Sequence, residues 1–233
     1  MKQTKHLTVL RTLQDIVMYF ISKGNTNSLM DIDKEDIKNQ IRQWIKQGYV
    51  QPDEIPKVEL YAEQVTTFMD RYLSGYKRSE EDKTLTKTMI NNYTKNDLLP
   101  PPVKKRYNAD HIILLIIIYY MKNVISIGDI KTLFEPLLNE FYDEGNSGGG
   151  TMDTPLMDMY ESLYKLEKKQ YFETEKSILK TLDISEADYP EKENKYLKNF
   201  IFLSLLGYDI FIKRKVMEHL IDDMNKKGED KDI

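Results

Sequence analysis

The sequence predicts an all-α protein, and three observations carry that expectation. Apolar side chains recur at three- and four-residue spacing along most of the 233 residues, the period of helices that bury one face. No Val/Thr/Tyr-rich alternation persists long enough to predict a strand. The periodic segments are set apart by residues that end helices: Gly24, Gly48, the run from Pro52 to Pro56, and three successive prolines at positions 100–102.

Taken in order, the first predicted helix runs from about Thr4 to Ser22, with Leu7, Leu10, Leu13, Val17 and Phe20 on one side and Gly24 closing it. A second, about Lys34 to Gln47, aligns Ile37, Ile41, Trp44 and Ile45 and ends at Gly48. A third, about Val58 to Leu73, carries Leu60, Tyr61, Val65, Phe68, Met69 and Tyr72, and the polar loop SGYKRSEEDK follows. The fourth begins near Thr86 and ends near Leu98, where the prolines forbid continuation and require a short turn or wing. Asn108 is placed to cap a fifth helix whose isoleucines suit burial on all sides. Ser126 and Asp129 form an S-x-x-D capping pattern that opens a sixth helix to about Phe141.

Successive glycines in DEGNSGGG, Asp143 to Gly150, cost backbone entropy and predict a linker. Thr154 and Pro155 start a helix reaching about Leu182, with Gln170 to Glu175 a candidate interruption. Pro190, in a first-turn position, starts a last helix to about Met224. Four regions result: N-terminal amphipathic helices (1–54), a central module (55–142), a Gly-rich linker (143–151) and a C-terminal helical region (152–233) suited to dimerisation or sensing.

Composition removes several classes of function. Hydrophobic residues at 40% and charged residues at 31% describe an ordinary globular protein. With no cysteine, disulfides, thiolate metal sites and thiol nucleophiles are excluded, in keeping with a reducing, cytoplasmic location. The longest apolar runs, 112–121 and 200–206, fall short of the roughly 20 residues that cross a bilayer, so no membrane span is expected. Arg11, Gln14 and Asp15 interrupt the N-terminus, which therefore lacks the core of a signal peptide. His6 and His219 are isolated, and His111 and Asp110 are helix neighbours that point in different directions. There is no phosphate-cradling glycine loop, and the carboxylates of FEPLLNEFYDEG lack the spacing of a calcium loop. These features predict a protein that is not an enzyme and holds no cofactor or metal.

The net charge of -4 conceals a basic segment. Between Thr84 and Arg106 stand Lys87, Lys95, Lys104, Lys105 and Arg106 against Asp97 alone. On the helix that opens this segment, Met89, Ile90 and Tyr93 can face inward while Thr88, Asn91, Asn92 and Lys95 face outward. Asparagine can pair bidentately with adenine, and threonine can bond a base edge or touch a thymine methyl. The candidate DNA-contacting residues are Thr86, Lys87, Thr88, Asn91, Asn92 and Lys95, with Lys104, Lys105 and Arg106 on flanking phosphates.

From Thr86 to Leu133 the order of elements resembles the MerR-type winged helix-turn-helix of bacterial transcription regulators. Ile90, Tyr93, Leu98, Leu99 and Pro100 fall on the L, second Y, L, L and P of that family's recognition helix. Tyr107 matches the tyrosine after the wing, Ile112, Leu115 and Ile118 the following helix, and SIGDIK, Ser126 to Lys131, the closing motif. The strings ELYAEQVTTF, TMINNY, LLPPPVKKRY and SIGDI are similar to the bacterial domain of unknown function 1836 family, itself distantly MerR-like, over about Ile55 to Leu137. The departures are Asn91 where MerR proteins carry a DNA-facing arginine, a wing shortened to PPVKKR, and a long SGYKRSEEDK loop. The resemblance implies a DNA-binding transcription regulator whose partner is double-stranded DNA. Such proteins commonly dimerise, and Tyr160, Leu163, Tyr164, Leu166 and the surface from Phe200 to Ile221 suit either a homodimer interface or packing on the N-terminal helices. The alternative is a helical protein-protein adaptor whose degenerate winged helix does not read DNA.

Overall fold

The computed structural model describes residues 32–48, 50–142, 154–188 and 195–229. The predicted first helix, the glycine-rich segment and the Pro190 start lie outside the described residues. The described elements are, in chain order, α1 (Lys34–Gly48), β1 (Leu60–Tyr61), α2 (Ala62–Leu73), α3 (Lys87–Lys95), β2 (Arg106–Tyr107), α4 (Ala109–Met121), α5 (Ile127–Phe141), α6 (Pro155–Asp188) and α7 (Lys195–Glu229). Single 3-10 turns follow α1, at Pro52–Glu54, and α2, at Ser74–Tyr76. The protein is therefore mostly helical with one small sheet. None of the described helices is long and apolar enough to cross a membrane.

Helix α4 is the hub. Every side chain from Ile112 to Ile118 is buried, which explains an apolar run with no polar face: the other helices pack around it. Val65, Met69 and Leu73 from α2, Ile90 and Tyr93 from α3, and Ile130 and Phe134 from α5 share one core with it. Fully burying a side chain of this size stabilises by about 1.5–3 kcal/mol. Met157 and Tyr160 of α6 and Ile221 of α7 belong to the same core. The central helices therefore continue into both C-terminal ones without a break in packing.

Helix α5 starts as its S-x-x-D pattern predicts: the Asp129 N–H donates to Ser126 Oγ (3.1 Å) and the Ser126 N–H to Asp129 Oδ2 (3.0 Å). Elsewhere the structure corrects the expected boundaries. Residues 60 and 61, expected inside a helix from Val58, are strand β1, because their backbone pairs with β2 instead of with a following turn. Helix α6 runs through Gln170 to Glu175 without interruption. The Thr174 hydroxyl bonds the Gln170 carbonyl (3.0 Å) and the Tyr171 hydroxyl reaches Glu175 (2.8 Å), both within one turn. Of the residues expected on the apolar face of α1, Ile41 is buried, whereas Trp44 is 43% exposed.

Gly48 ends α1 for a packing reason. A β-carbon at this position would overlap the ring of Tyr76, while the Gly48 carbonyl accepts from the Tyr120 hydroxyl (2.8 Å). The end of α1 is thus pressed between two tyrosines from the central module. Gly48→Ala is expected to destabilise the fold by about 1–3 kcal/mol, the range for overpacking a filled site. A urea midpoint that does not fall in this variant would show that Tyr76 can swing aside.

Candidate nucleic-acid interface

Helices α2 and α3 are joined by a long polar loop, and one aspartate holds it. Asp70, near the end of α2, bonds Lys77 at the start of the loop and the Thr84 hydroxyl at its end (2.9 Å). Lys77 is the chief cause that holds the Asp70 carboxyl below its usual range. Asp82 closes the loop on itself by accepting from the Arg78 and Ser79 N–H groups (3.0 and 3.1 Å), which likewise keeps it charged. The loop therefore delivers Thr86 in a fixed place. Its hydroxyl accepts from the Met89 N–H (3.1 Å) as the N-cap of α3, so Thr86 begins the helix and its hydroxyl is engaged there.

On α3, Ile90 and Tyr93 are buried while Lys87, Thr88, Asn91, Asn92 and Lys95 are exposed. This is the division of faces that helical spacing predicts. The helix stops earlier than the prolines alone would require. Asp97 adopts a left-handed backbone (φ 55°), its N–H bonds the Thr94 carbonyl (3.2 Å), and the Leu98 N–H bonds the Tyr93 carbonyl (2.9 Å). That pair is a Schellman ending, and it buries Leu98 and Leu99. Lys131 of α5 bonds the Asp97 carboxylate (3.1 Å).

The segment after the prolines is a hairpin. Lys104 and Lys105 both have positive φ (48° and 65°), the Arg106 N–H donates to the Val103 carbonyl (2.9 Å), and Val103 bridges Arg106 across the turn. Two left-handed central residues define a type I′ turn, which strongly prefers Asn-Gly. Here both are lysines, which are strained in that region by about 1–2 kcal/mol each. The turn raises two exposed ammonium groups at its tip. Strand β2 then pairs antiparallel with β1, Leu60 opposite Tyr107 and Tyr61 opposite Arg106.

Helix α3 and the hairpin meet at one end of α2. Arg106 lies over the Tyr61 ring (5.4 Å) and beside Glu59 (3.7 Å), immediately before α2. Lys87, the first residue of α3, bonds Glu63 in the first turn of α2. Lys87 is the chief cause that lowers the Glu63 carboxyl. Lys95, Lys104 and Lys105 have no carboxylate against them among the described residues. Glu59, Glu63 and the Tyr61 ring are the parts of this surface that the spacing of the basic residues did not reveal. The string ELYAE was the available signal, since it places two acids around the strand that the hairpin must pair with.

Residues 50–164 match the model of a family described as Domain of unknown function (DUF1836). Over these residues the chain resembles that family. No curated protein and no solved structure matches the chain. The DUF1836 segment starts at Val50 and ends on the first turns of α6, and the two ends are joined by one hydrogen bond, from the Tyr160 hydroxyl to the Val50 carbonyl (2.7 Å).

Within the DUF1836 segment the hairpin rests on the start of α4. Asn108 caps that helix by accepting from the His111 N–H (3.1 Å), and the Asn108 N–H donates to His111 Nδ1 (3.2 Å). The imidazole stands edge-on between Tyr107 of β2 and Tyr142 (5.4 and 5.9 Å). Burial lowers its pKa to about 4, outweighing the nearby Pro100 and Pro101 carbonyls, which favour the charged form. Beside it, the buried Asp110 accepts from the Thr154 hydroxyl (2.7 Å), which itself accepts from the Met157 N–H (3.1 Å) and so caps α6. Burial raises the Asp110 pKa. His111 and Asp110 are thus structural: each fastens one element to α4, and neither is offered to a ligand.

Proposed function

We propose that the DUF1836 segment binds double-stranded DNA as a MerR-like winged helix-turn-helix, and that the chain is a transcription regulator acting as a homodimer. Helix α3 would enter a major groove with Thr88, Asn91, Asn92 and Lys95 toward the bases. Lys104 and Lys105 at the hairpin tip, with Arg106 behind them, would hold the adjacent backbone. Thr86 and Lys87 would orient the helix start, the first through its cap and the second through Glu63.

The observation that carries this reading is the hairpin tip. Two lysines occupy backbone positions that disfavour them when a neutral Asn-Gly pair would fit without strain. Strain of this kind persists where a side chain is needed for what it touches outside the fold. The anchoring of both α3 and the hairpin at residues 59–63 adds support, because it lets base-reading and phosphate-holding groups act as one surface.

The test is binding of purified protein to random-sequence duplex at several salt concentrations, followed by selection of enriched sites. Asn91→Ala is expected to relax the selected sequence, with discrimination at one position falling by about 1–3 kcal/mol. Lys105→Ala is expected to weaken all duplexes alike and to reduce the salt slope by about 1. Equal, salt-independent losses from both would count against this assignment of roles.

A second reading has its own observation. Glu59 and Glu63 neutralise Arg106 and Lys87, which lowers the field available to phosphates and suits a protein-protein adaptor. Folded protein that binds no duplex at low salt would make that the better account.

A further inference from the structure

We infer that the segment before residue 32 docks on α7 of its own chain, laying Leu10, Leu13, Val17 and Phe20 antiparallel along Phe200, Leu203, Gly207 and Ile210. This goes beyond the DNA-binding reading, and it stands or fails without reference to DNA.

Helix α7 is held near its two ends. Leu197 and Phe202 are buried where it leaves α6, and Ile221 enters the main core. Between these anchors it is open on two sides. Helical spacing puts Phe200, Leu203, Gly207, Ile210 and Phe211 on one face, and Leu205, Tyr208, Ile212 and Val216 on another. All of them are exposed, Leu203 by 61% and Ile210 by 62%. A helix that is apolar on several sides belongs in an interior, and among the described residues nothing covers the first face.

The point where the described chain begins says what that cover is. Ile32 lines an apolar groove together with Ile37 of α1 and Tyr196, Phe200 and Leu203 of α7. Residues 1–31 lie outside the described residues, and they join the molecule at this groove. They therefore enter beside Phe200 and Leu203, at one end of the first face. No residue of the second face lines the groove.

The spacing of the segment fits the face it meets. The helix predicted from Thr4 to Ser22 carries Leu10, Leu13, Val17 and Phe20 at steps of three, four and three residues, and Phe200, Leu203, Gly207 and Ile210 repeat those steps. Such alternating steps form the seam between two packed helices, in which each side chain sits between those of the partner. Neither row contains a charge, while Arg11 and Asp15 fall on the far side of the predicted helix. A helix that covers an apolar face and meets water behind it requires that division.

Gly207 and the tether set the direction. Mid-helix glycine is the poorest choice after proline, and a β-carbon at Gly207 would meet nothing within 4 Å. The gap lets a second helix come close. In the antiparallel pairing Leu13 fills this gap, Phe20 reaches Phe200 at the groove, and residues 21–31 need only turn back to Ile32. The parallel pairing would end the segment beside Ile210, and the same residues would have to retrace about 15 Å of α7. It would also put the smaller Val17 over the gap.

The experiment uses the full chain, whose lack of cysteine allows introduced pairs to report contacts. Under mild oxidation Val17→Cys with Leu203→Cys is expected to close a disulfide within one chain, at the mass of 27.6 kDa. Val17→Cys with Ile212→Cys, on the second face, is expected to stay reduced. Hydrogen exchange supplies a second measurement. Amides between Leu203 and Arg214 are expected to exchange roughly tenfold faster in Leu13→Glu with Val17→Glu than in the wild type, while those of α4 keep their protection. Failure of the first pair to close, or unchanged exchange along α7 in the glutamate variant, overturns the docking. A disulfide at twice the chain mass overturns docking within one chain and assigns the face to the segment of another copy. Closure through Phe20→Cys with Ile210→Cys overturns the antiparallel direction.

Discussion

Lowering the pH from about 7.5 to about 4.5 is expected to remove about 2–3 kcal/mol of stability through His111 alone. The sign follows from where the proton is held. The native ring stays neutral down to about pH 4, whereas the unfolded ring takes a proton below about pH 6.5. Its contribution is complete above pH 6.5, and it is lost as pH falls toward the folded value. Asp110 acts in the opposite sense, since its raised pKa favours the protonated native form near the acid end. The lowered carboxylates of Asp70 and Asp82 lose their contribution only below the usual carboxylate range. The window between about pH 6.5 and 4.5 leaves out Asp70 and Asp82, and the comparison with a variant lacking the imidazole separates its share from the opposing one of Asp110. Urea midpoints at the two pH values should differ strongly in the wild type and much less in His111→Gln, where glutamine can keep the capping-box role. Identical pH slopes would mean that the ring titrates freely. Because His111 joins β2 to α4, the same acid range should also loosen the hairpin.

Replacing Lys104 with Asn and Lys105 with Gly is expected to move stability and DNA binding in opposite directions. Both positions have positive φ, where the β-carbon of a lysine crowds the following carbonyl oxygen and Asn-Gly is favoured. The double variant should gain about 1–2 kcal/mol, on the order of 2–8 °C in melting temperature for a chain of this size. If the two lysines each hold a phosphate, the salt slope should fall by about 1.8 and affinity at low salt should drop at least tenfold. Higher stability with unchanged DNA affinity would leave the lysines as ordinary surface residues. Lower stability would refute the strain itself. The paired outcome is informative because a simple unfolding effect cannot raise the melting point and weaken binding together.

The sequence by itself determined the helical character of this protein and several local endings. The isoleucines of α4 announced a helix buried on all sides, S-x-x-D announced the start of α5, and the step from Ile90 to Tyr93 separated the inner from the outer face of α3. These are short-range matters, settled by periodicity and by caps within one turn. Only the tertiary structure decided that Leu60 and Tyr61 form a strand, since their partner Arg106–Tyr107 is some 45 residues away along the chain and two residues are too few to show alternation. It also decided that α6 shares the central core, and that Lys87 and Arg106 are held by Glu63 and Glu59. Helical spacing could place Trp44 on an apolar face of α1 but could not say whether anything would cover it. The same limit applies to α7: its apolar residues were plain in the sequence, and only packing showed which of them stay exposed.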